Sequence, residues 1–200
     1  SSIITVKFDG RTESCSVKID GNINLIKTGV LGTGILTLTN CYILATGSIK
    51  IQNGILKVTY VNNTVPVTVV GNDGTAAKLS VFDPSASIVI GELILGDNTG
   101  YGIVRSSTAN CVLSWPVNVF ICIRAIGSGN LIDDDNALTI IGVTHYNNTM
   151  VIDVDGDLDI QCRIDHNNAL RKTGDGTLRI SYVHTSLSIL GHVDEGTLLV

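Results

Sequence analysis

The chain has 200 residues, of which 44% are hydrophobic, 16% charged and 4% aromatic, and its formal net charge is −5. Its scattered Lys and Arg residues form no basic cluster of the kind that binds nucleic acid, and no apolar run approaches the about 20 residues of a membrane-spanning helix. Glycine is abundant (21 residues) and proline is scarce (3 residues). Together with many Val, Ile, Leu and Thr residues, this composition favours strands and sharp turns over helices.

Residues 3–20 contain two short runs in which apolar and polar residues alternate. Each run is followed by a turn signal, Asp9-Gly10 and Asp20-Gly21. Alternation that ends in Asp-Gly is typical of strands and tight turns. We expect opening strands or a capping hairpin in this region.

A more specific pattern lies between Leu25 and Val58. It opens with Lys27-Thr28-Gly29, continues into a Gly-x-Leu-x-Leu run that ends at Leu38, and closes with a Gly-x-Leu-x-Val run that begins at Gly54. In these runs the apolar side chains alternate, which is the period of a strand buried on one face. The leading glycine gives the backbone the freedom to form a corner.

Residues 61–130 keep a rhythm of strands and turns but lose this pattern, apart from one Gly-x-Leu-x-Leu run that begins at Gly91. Trp115-Pro116 interrupts the alternation, and proline cannot donate a hydrogen bond within a central ladder. We therefore expect an irregular excursion near residues 100–120.

The pattern returns at residues 170–200 and, in a degenerate form, at 131–160. The interval from the end of the first apolar run to the glycine of the second is 16 positions in three places: from Leu38 to Gly54, from Ile140 to Gly156 and from Ile180 to Gly196. Short strands that recur at a fixed interval indicate stacked repeats, because one repeat cannot bury its apolar face alone. An antiparallel β-sandwich is the alternative, but it gives no reason for a constant interval.

The pattern resembles the passenger-associated repeat of bacterial autotransporter proteins. In the last copy the matching residues are Lys172, Gly174, Gly176, Thr177, Leu178, Ile180, Tyr182, Gly196, Thr197, Leu198 and Val200. In the first copy they are Lys27, Gly29, Gly34, Leu36, Leu38, Tyr42, Gly54, Leu56 and Val58. The resemblance implies a single-stranded, right-handed parallel β-helix displayed on a cell surface. Because the family's repeat is a scaffold, the resemblance transfers no catalytic residue.

Alternation also predicts which side chains face the interior. The expected core residues are Leu36, Leu38, Leu56, Val58, Leu178, Ile180, Leu198 and Val200. The sequence stops on the last residue of a repeat, so we expect a single domain over 1–200 that is cut from a longer chain. Further sequence or another subunit would then cover the ends of the solenoid.

The chain has five cysteines: Cys15, Cys41, Cys111, Cys122 and Cys162. They form no C-x-x-C pair, so zinc binding or redox chemistry is not indicated. Most lie in runs where apolar and polar residues alternate, which predicts small buried side chains. One disulfide bond among the five cysteines is the alternative. Reduced thiols would fit assembly in a reducing compartment, as for a virion protein made in a host cytosol.

Four carboxylates alternate at Asp153, Asp155, Asp157 and Asp159. Such a run could gather a hard cation such as calcium, but the spacing matches neither the EF-hand loop nor a tandem calcium roll. With Arg163 and His166, which follow, it could also contribute to a polysaccharide-cleaving site. The favoured interpretation is a solvated face, with the aspartates outward and Val154, Leu158 and Ile160 inward.

The sequence therefore predicts an all-β solenoid without catalytic residues or cofactors, which serves as a structural or adhesive module outside the cell or on its surface. Its partners would be other protein subunits or host surface ligands, glycans among them. One alternative is a virion subunit, such as a fibre or capsid-decorating protein. Another is a polysaccharide-binding or polysaccharide-cleaving β-helix.

Overall fold

The computed structural model describes residues 2–7, 12–15, 18–19, 22–28, 34–38, 42–43, 47–59, 65–71, 79–84, 87–97, 99–106, 108–116, 119–133, 138–141, 149–165, 169–182 and 192–200. The strands in these ranges are β1 (Ser2–Lys7), β2 (Thr12–Cys15), β3 (Lys18–Ile19), β4 (Ile23–Thr28), β5 (Ile35–Leu38), β6 (Tyr42–Ile43), β7 (Ile49–Ile51), β8 (Gly54–Val58), β9 (Val67–Val69), β10 (Leu79–Pro84), β11 (Ile88–Val89), β12 (Leu93–Leu95), β13 (Tyr101–Val104), β14 (Val112–Ser114), β15 (Ile123–Ala125), β16 (Asn130–Ile132), β17 (Thr139–Ile141), β18 (Met150–Val154), β19 (Asp157–Ile160), β20 (Arg163–Asp165), β21 (Leu170–Thr173), β22 (Thr177–Ile180), β23 (His192–Val193) and β24 (Thr197–Leu199).

The strands stack into long sheets that run along one axis. The first sheet has the order β1-β4-β7-β9-β12-β15-β18-β21-β23 and the second has the order β2-β5-β8-β10-β13-β16-β19-β22-β24. A third sheet, β11-β14-β17-β20, and the pair β3-β6 supply a further side of the coil. A full turn of the chain, which we call a rung, thus contributes one strand to each of the two nine-stranded sheets.

Each pairing between described strands is parallel. The part of the chain that the structure describes contains strands and no helix. The predicted all-β parallel solenoid is confirmed, and the alternative of an antiparallel sandwich is wrong. Within the same ranges, no helix has the length and apolar character needed to cross a membrane.

The register explains the repeat pattern. Leu36 pairs with Leu56, and Leu178 pairs with Leu198, 20 positions later in each case. The two Gly-x-Leu-x-Leu/Ile/Val runs of one copy therefore form neighbouring strands of the second sheet, and the pattern marks one full turn of the coil.

The prediction that residues 131–160 form a third copy of the pattern is wrong, because its two apolar runs lie in different sheets. Ile140 lies in β17 of the third sheet, whereas Gly156 immediately precedes β19 of the second sheet. Ile140 is therefore not equivalent to Leu38 and Ile180, which lie in the second sheet. The run that begins at Gly156 instead stacks directly beneath the last copy, because Leu158 pairs with Leu178.

The core is a continuous aliphatic column inside the coil, as the alternation predicted. Six of the eight expected core residues are at most 3% exposed: Leu36, Leu38, Leu56, Val58, Leu178 and Ile180. Leu198 is partly buried against this core. Val200 is 91% exposed, so its predicted burial is wrong. It follows the end of β24, which among the described strands pairs with β22 alone.

Regular structure continues through much of the stretch near 100–120, where the sequence predicted an irregular excursion. Within it, β13 pairs with β10 and β16, and β14 pairs with β11 and β17. Between these strands the chain turns at Asn110, whose φ is 59°. Trp115 follows β14 directly and is 1% exposed. The ring of Trp115 therefore belongs to the core.

Three of the five cysteines also belong to the core. Cys111, Cys122 and Cys162 are buried thiols, as the alternation predicted. The side chain of Cys15 and the whole of Cys41 lie outside the part of the molecule that the structure describes. Burial raises the pKa of the Cys122 thiol to about 11.

Leu178→Asp tests the assigned inner face. The substitution places an unpaired charge at a position that is 0% exposed, so we expect it to lower the free energy of unfolding by roughly 3–5 kcal/mol. Arg179→Asn, on the exposed face of the same strand, is the control and should leave that free energy nearly unchanged, because it places no second carboxylate beside Asp159. Denaturant unfolding checks both variants, and a cooperatively folding Leu178→Asp protein of wild-type stability would contradict the assignment.

Candidate functional site

Two features of the coil place polar groups where they can act: the corner between the first and second sheets, and a groove on the outer face of the first sheet. At the corner, the glycines that open the second-sheet runs adopt left-handed backbone conformations, with φ of 73° at both Gly54 and Gly196. A Cβ atom at Gly196 would collide with the carbonyl oxygen of Gly176 one rung below. Glycine is required here both for its backbone angle and for the close approach of neighbouring rungs.

The buried lysine of the repeat pattern hydrogen-bonds to the backbone of this corner from the interior of the coil. Lys172 is 0% exposed, and its ammonium donates to the carbonyl oxygens of Thr173, Gly174 and Glu195 at 3.0, 2.5 and 3.1 Å. Glu195 belongs to the next rung, so the lysine ties two rungs together. Burial lowers the pKa of the Lys172 ammonium from its ordinary value of 10.5, while the carboxylate of Asp153 opposes that shift.

Lys27 does the same in the first copy. It is also 0% exposed, and it donates to the carbonyl oxygens of Thr28 at 3.2 Å and of Asn53 at 2.9 Å. Asn53 and Glu195 each immediately precede the corner glycine of the next rung. The two copies of the pattern therefore build equivalent corners.

Midway along the coil, the side-chain amide of Asn130 donates to carbonyl oxygens at a corner, as the lysine ammonium groups do in the two copies. The Asn130 side chain is 2% exposed, and its Nδ2 donates to the carbonyl oxygens of Ile126, Gly127 and Asp157 at 3.1, 3.1 and 3.2 Å. Its Oδ1 accepts from the backbone N–H of Gly102 at 3.0 Å. Buried donors thus satisfy corner carbonyl groups, which would otherwise be costly inside the protein.

The groove lies where the chain enters β9, β12 and β15. It has a volume of about 400 Å³ and is open to solvent. It is lined by Pro66, Gly91, Glu92, Val119, Phe120, Ile121 and Arg124. Phe120 is 81% exposed, which is unusual for a ring of this size and marks the groove as a candidate binding surface.

A line of polar side chains crosses successive rungs beside the groove. The guanidinium of Arg124 lies 3.4 Å from Glu92 Oε1 and 3.6 Å from Asp153 Oδ2. Thr173 Oγ1 in turn donates to Asp153 Oδ1 at 2.8 Å. Because Arg124, Asp153 and Thr173 are ladder neighbours on the outer face, these contacts hold the guanidinium in one orientation.

The four aspartates that suggested calcium do not converge. Asp153 lies on the first sheet, whereas Asp157 and Asp159 lie on the second. Asp159 accepts from Gln161 at 2.9 Å and from Ser181 at 2.7 Å, while Asp155 is exposed between the two strands. Within the described ranges, no three His, Cys, Asp or Glu side chains are placed to hold a metal ion.

The residues that suggested polysaccharide cleavage also stand apart. Arg163 lies on the third sheet and forms an exposed ion pair with Asp165 at 3.2 Å. His166 lies outside the part of the chain that the structure describes.

Comparison of the chain with protein-family models, with curated proteins and with solved structures found no match. The function is therefore inferred from the geometry of the chain itself.

Sequence reasoning did not identify the groove, and it gave the two lysines no role. A signal for the lysines was present, because Lys27 follows Leu25, and Lys172 follows Leu170, at the inward positions of their strands. The groove had no local signal, since Glu92 and Arg124 are 32 positions apart and meet only through the register of the rungs.

Lys172→Met tests the role of the buried ammonium. The variant keeps the length of the side chain but leaves the carbonyl groups of Thr173, Gly174 and Glu195 without this donor, and removal of the buried charge offsets only part of the loss. We expect the free energy of unfolding to fall by about 2–3 kcal/mol. Arg179→Met, at an exposed position of the next strand, should change it little. Chemical unfolding measures both, and an unchanged or increased stability of Lys172→Met would contradict the role.

Proposed function

We propose that this chain is a non-catalytic structural or adhesive module of the autotransporter-passenger type, displayed outside the cell or on its surface. The observation that carries the proposal is the outer face of the first sheet, where side chains from nine stacked strands lie side by side. Its order β1-β4-β7-β9-β12-β15-β18-β21-β23 brings distant parts of the chain side by side. A surface of this kind can spread contacts to a partner over many rungs.

The equivalent corners of the two repeat copies support this assignment. Lys27 and Lys172 are both fully buried and both reach the carbonyl oxygen that precedes the next corner glycine. The residues that define the pattern are thus used to build the coil. This agrees with a repeat that serves as a scaffold and leaves recognition to the outer face.

The outer face also offers a means of binding. The groove beside Arg124 combines an exposed aromatic ring with a fixed ion pair. Partners would include host surface ligands, glycans among them, and other protein subunits.

Binding without turnover is the expected behaviour, and it can be tested with purified protein and a panel of neutral and acidic polysaccharides. Pull-down should detect binding while reducing-end and unsaturated-product assays stay at background. Turnover that is lost in Asp155→Asn or Asp157→Asn, but kept in Asp165→Asn, would overturn the proposal and favour a polysaccharide-cleaving β-helix.

A second candidate function is a virion subunit, such as a fibre or capsid-decorating protein. It is favoured by one observation, the three buried thiols of Cys111, Cys122 and Cys162. Thiols that persist in the purified protein fit assembly in a reducing compartment.

Thiol titration bears on this second candidate. Protein denatured without a reductant should titrate at least the three thiols of Cys111, Cys122 and Cys162. Burial raises the pKa of Cys122 to about 11 and leaves the residue 0% exposed. Because both a low thiolate fraction and poor reagent access slow the reaction, alkylation of Cys122 in the folded protein at pH 8 should be at least about 100-fold slower than that of an ordinary exposed cysteine. Mass spectrometry after timed alkylation at pH 8 checks this rate. A disulfide that involves any of the three would weigh against the virion function, whereas fast labelling of Cys122 in the folded protein would contradict its burial in the structure.

A further inference from the structure

We propose that the groove beside β12 and β15 binds a neutral carbohydrate chain, with sugar rings against Phe120 and hydroxyl groups on Glu92 and Arg124. This inference rests on the proposed binding function and deepens it by naming a site and a class of ligand. Three properties of the groove support it: the apolar and charged side chains that line it, its net charge, and the hydrogen-bonded backbone around it.

The lining offers partners for both parts of a sugar ring. Its apolar side chains include Val119, Ile121 and Phe120, whose ring is 81% exposed. Its charged side chains are Glu92 and Arg124, joined at 3.4 Å. A pyranose presents an apolar C–H face, which packs on an aromatic ring, and a rim of hydroxyl groups, which hydrogen-bond to planar charged groups.

The charged pair of Glu92 and Arg124 is preorganised for hydroxyl groups. Arg124 lies between two carboxylates, Glu92 at 3.4 Å and Asp153 at 3.6 Å, and Asp153 is fixed in turn by Thr173 at 2.8 Å. The guanidinium and the Glu92 carboxylate thus present donors and acceptors side by side, and the ion pairs restrict their rotamers before a ligand arrives. Such preorganisation reduces the entropic cost of binding.

The charge of the site favours a neutral ligand over an anionic one. One guanidinium faces two carboxylates, so Arg124, Glu92 and Asp153 together carry one net negative charge. A phosphate, sulfate or uronate would meet this excess, and Arg124 is already shared between its two partners. Like charges disfavour such a complex, whereas a hexose chain adds no charge.

The main chain around the groove argues against a peptide that binds as an added strand. The carbonyl oxygens of Pro66, Glu92 and Cys122 accept from Ile49, Val67 and Leu93 at 2.9, 2.8 and 3.0 Å. Strand addition requires a sheet edge with free backbone groups, and β12 lies within the sheet, between β9 and β15. Recognition here must use side chains, which suits a rigid ring with hydroxyl groups.

Calorimetry with soluble oligosaccharides tests the proposal. The probes are neutral hexamers of β-1,4-glucose, α-1,4-glucose and β-1,4-mannose, with hexagalacturonate as the anionic counterpart and a basic peptide as the protein-like one. We expect at least one neutral hexamer to bind the intact protein. Its affinity should fall by about tenfold or more in Phe120→Ala and in Arg124→Met, and Phe120→Tyr should retain it.

Tyr182→Ala is the matched control, since Tyr182 is an exposed aromatic residue (37%) beyond the end of β22, and it should bind as the wild type does. Because Phe120 is largely exposed, Phe120→Ala should keep the wild-type melting temperature, which separates loss of binding from loss of fold. The proposal is overturned if no neutral hexamer binds, if Phe120→Ala binds as tightly as the wild type, or if the groove prefers hexagalacturonate or the basic peptide. Release of new reducing ends from a bound hexamer would instead refute the non-catalytic function while leaving the site in place.

Discussion

The main-chain ladder that runs along the axis is the interaction on which the rest of the molecule depends. The backbone carbonyl oxygens of Ser48, Pro66 and Glu92 accept from the backbone N–H groups of Leu25, Ile49 and Val67 at 2.8, 2.9 and 2.8 Å. These hydrogen bonds join each rung to the next. A rung has no core of its own. Its aliphatic side chains are buried because the equivalent strands of the neighbouring rungs lie above and below them. The alternation of the strands and the parallel order of the sheets follow from this one requirement.

The corners are where that requirement is hardest to meet. When the chain bends from the first sheet to the second, carbonyl groups turn inward and leave the regular ladder. Glycine at 54 and 196 lets the rungs approach, and Lys27, Lys172 and Asn130 supply the missing donors. A buried ammonium is costly to desolvate, and here several carbonyl oxygens offset that cost. The first-sheet strands β4 and β21 thus contribute to the core through Leu25 and Leu170 and stabilise the adjacent corner through Lys27 and Lys172.

Local pattern was sufficient to predict the strands and their inner face, because burial of Leu36, Leu56 and Leu178 depends only on alternation within a strand. It was insufficient for the degenerate copy at 131–160, because an interval of 16 positions does not determine which sheet the run that ends at Ile140 joins. That choice depends on the length of the intervening connections, which varies from rung to rung. The groove could not be predicted for the same reason, because Glu92 and Arg124 come into contact only through the alignment of successive rungs.

Ile103 pairs with Leu131, 28 positions later, whereas Leu158 pairs with Leu178 after only 20, yet both pairs belong to the same sheet. The added length is accommodated between the strands, where it does not shift their alignment. The coil can therefore gain or exchange segments at its bends during evolution while its interior stays constant. For the same reason, those bends are natural places for an engineer to graft foreign sequences onto a stiff support.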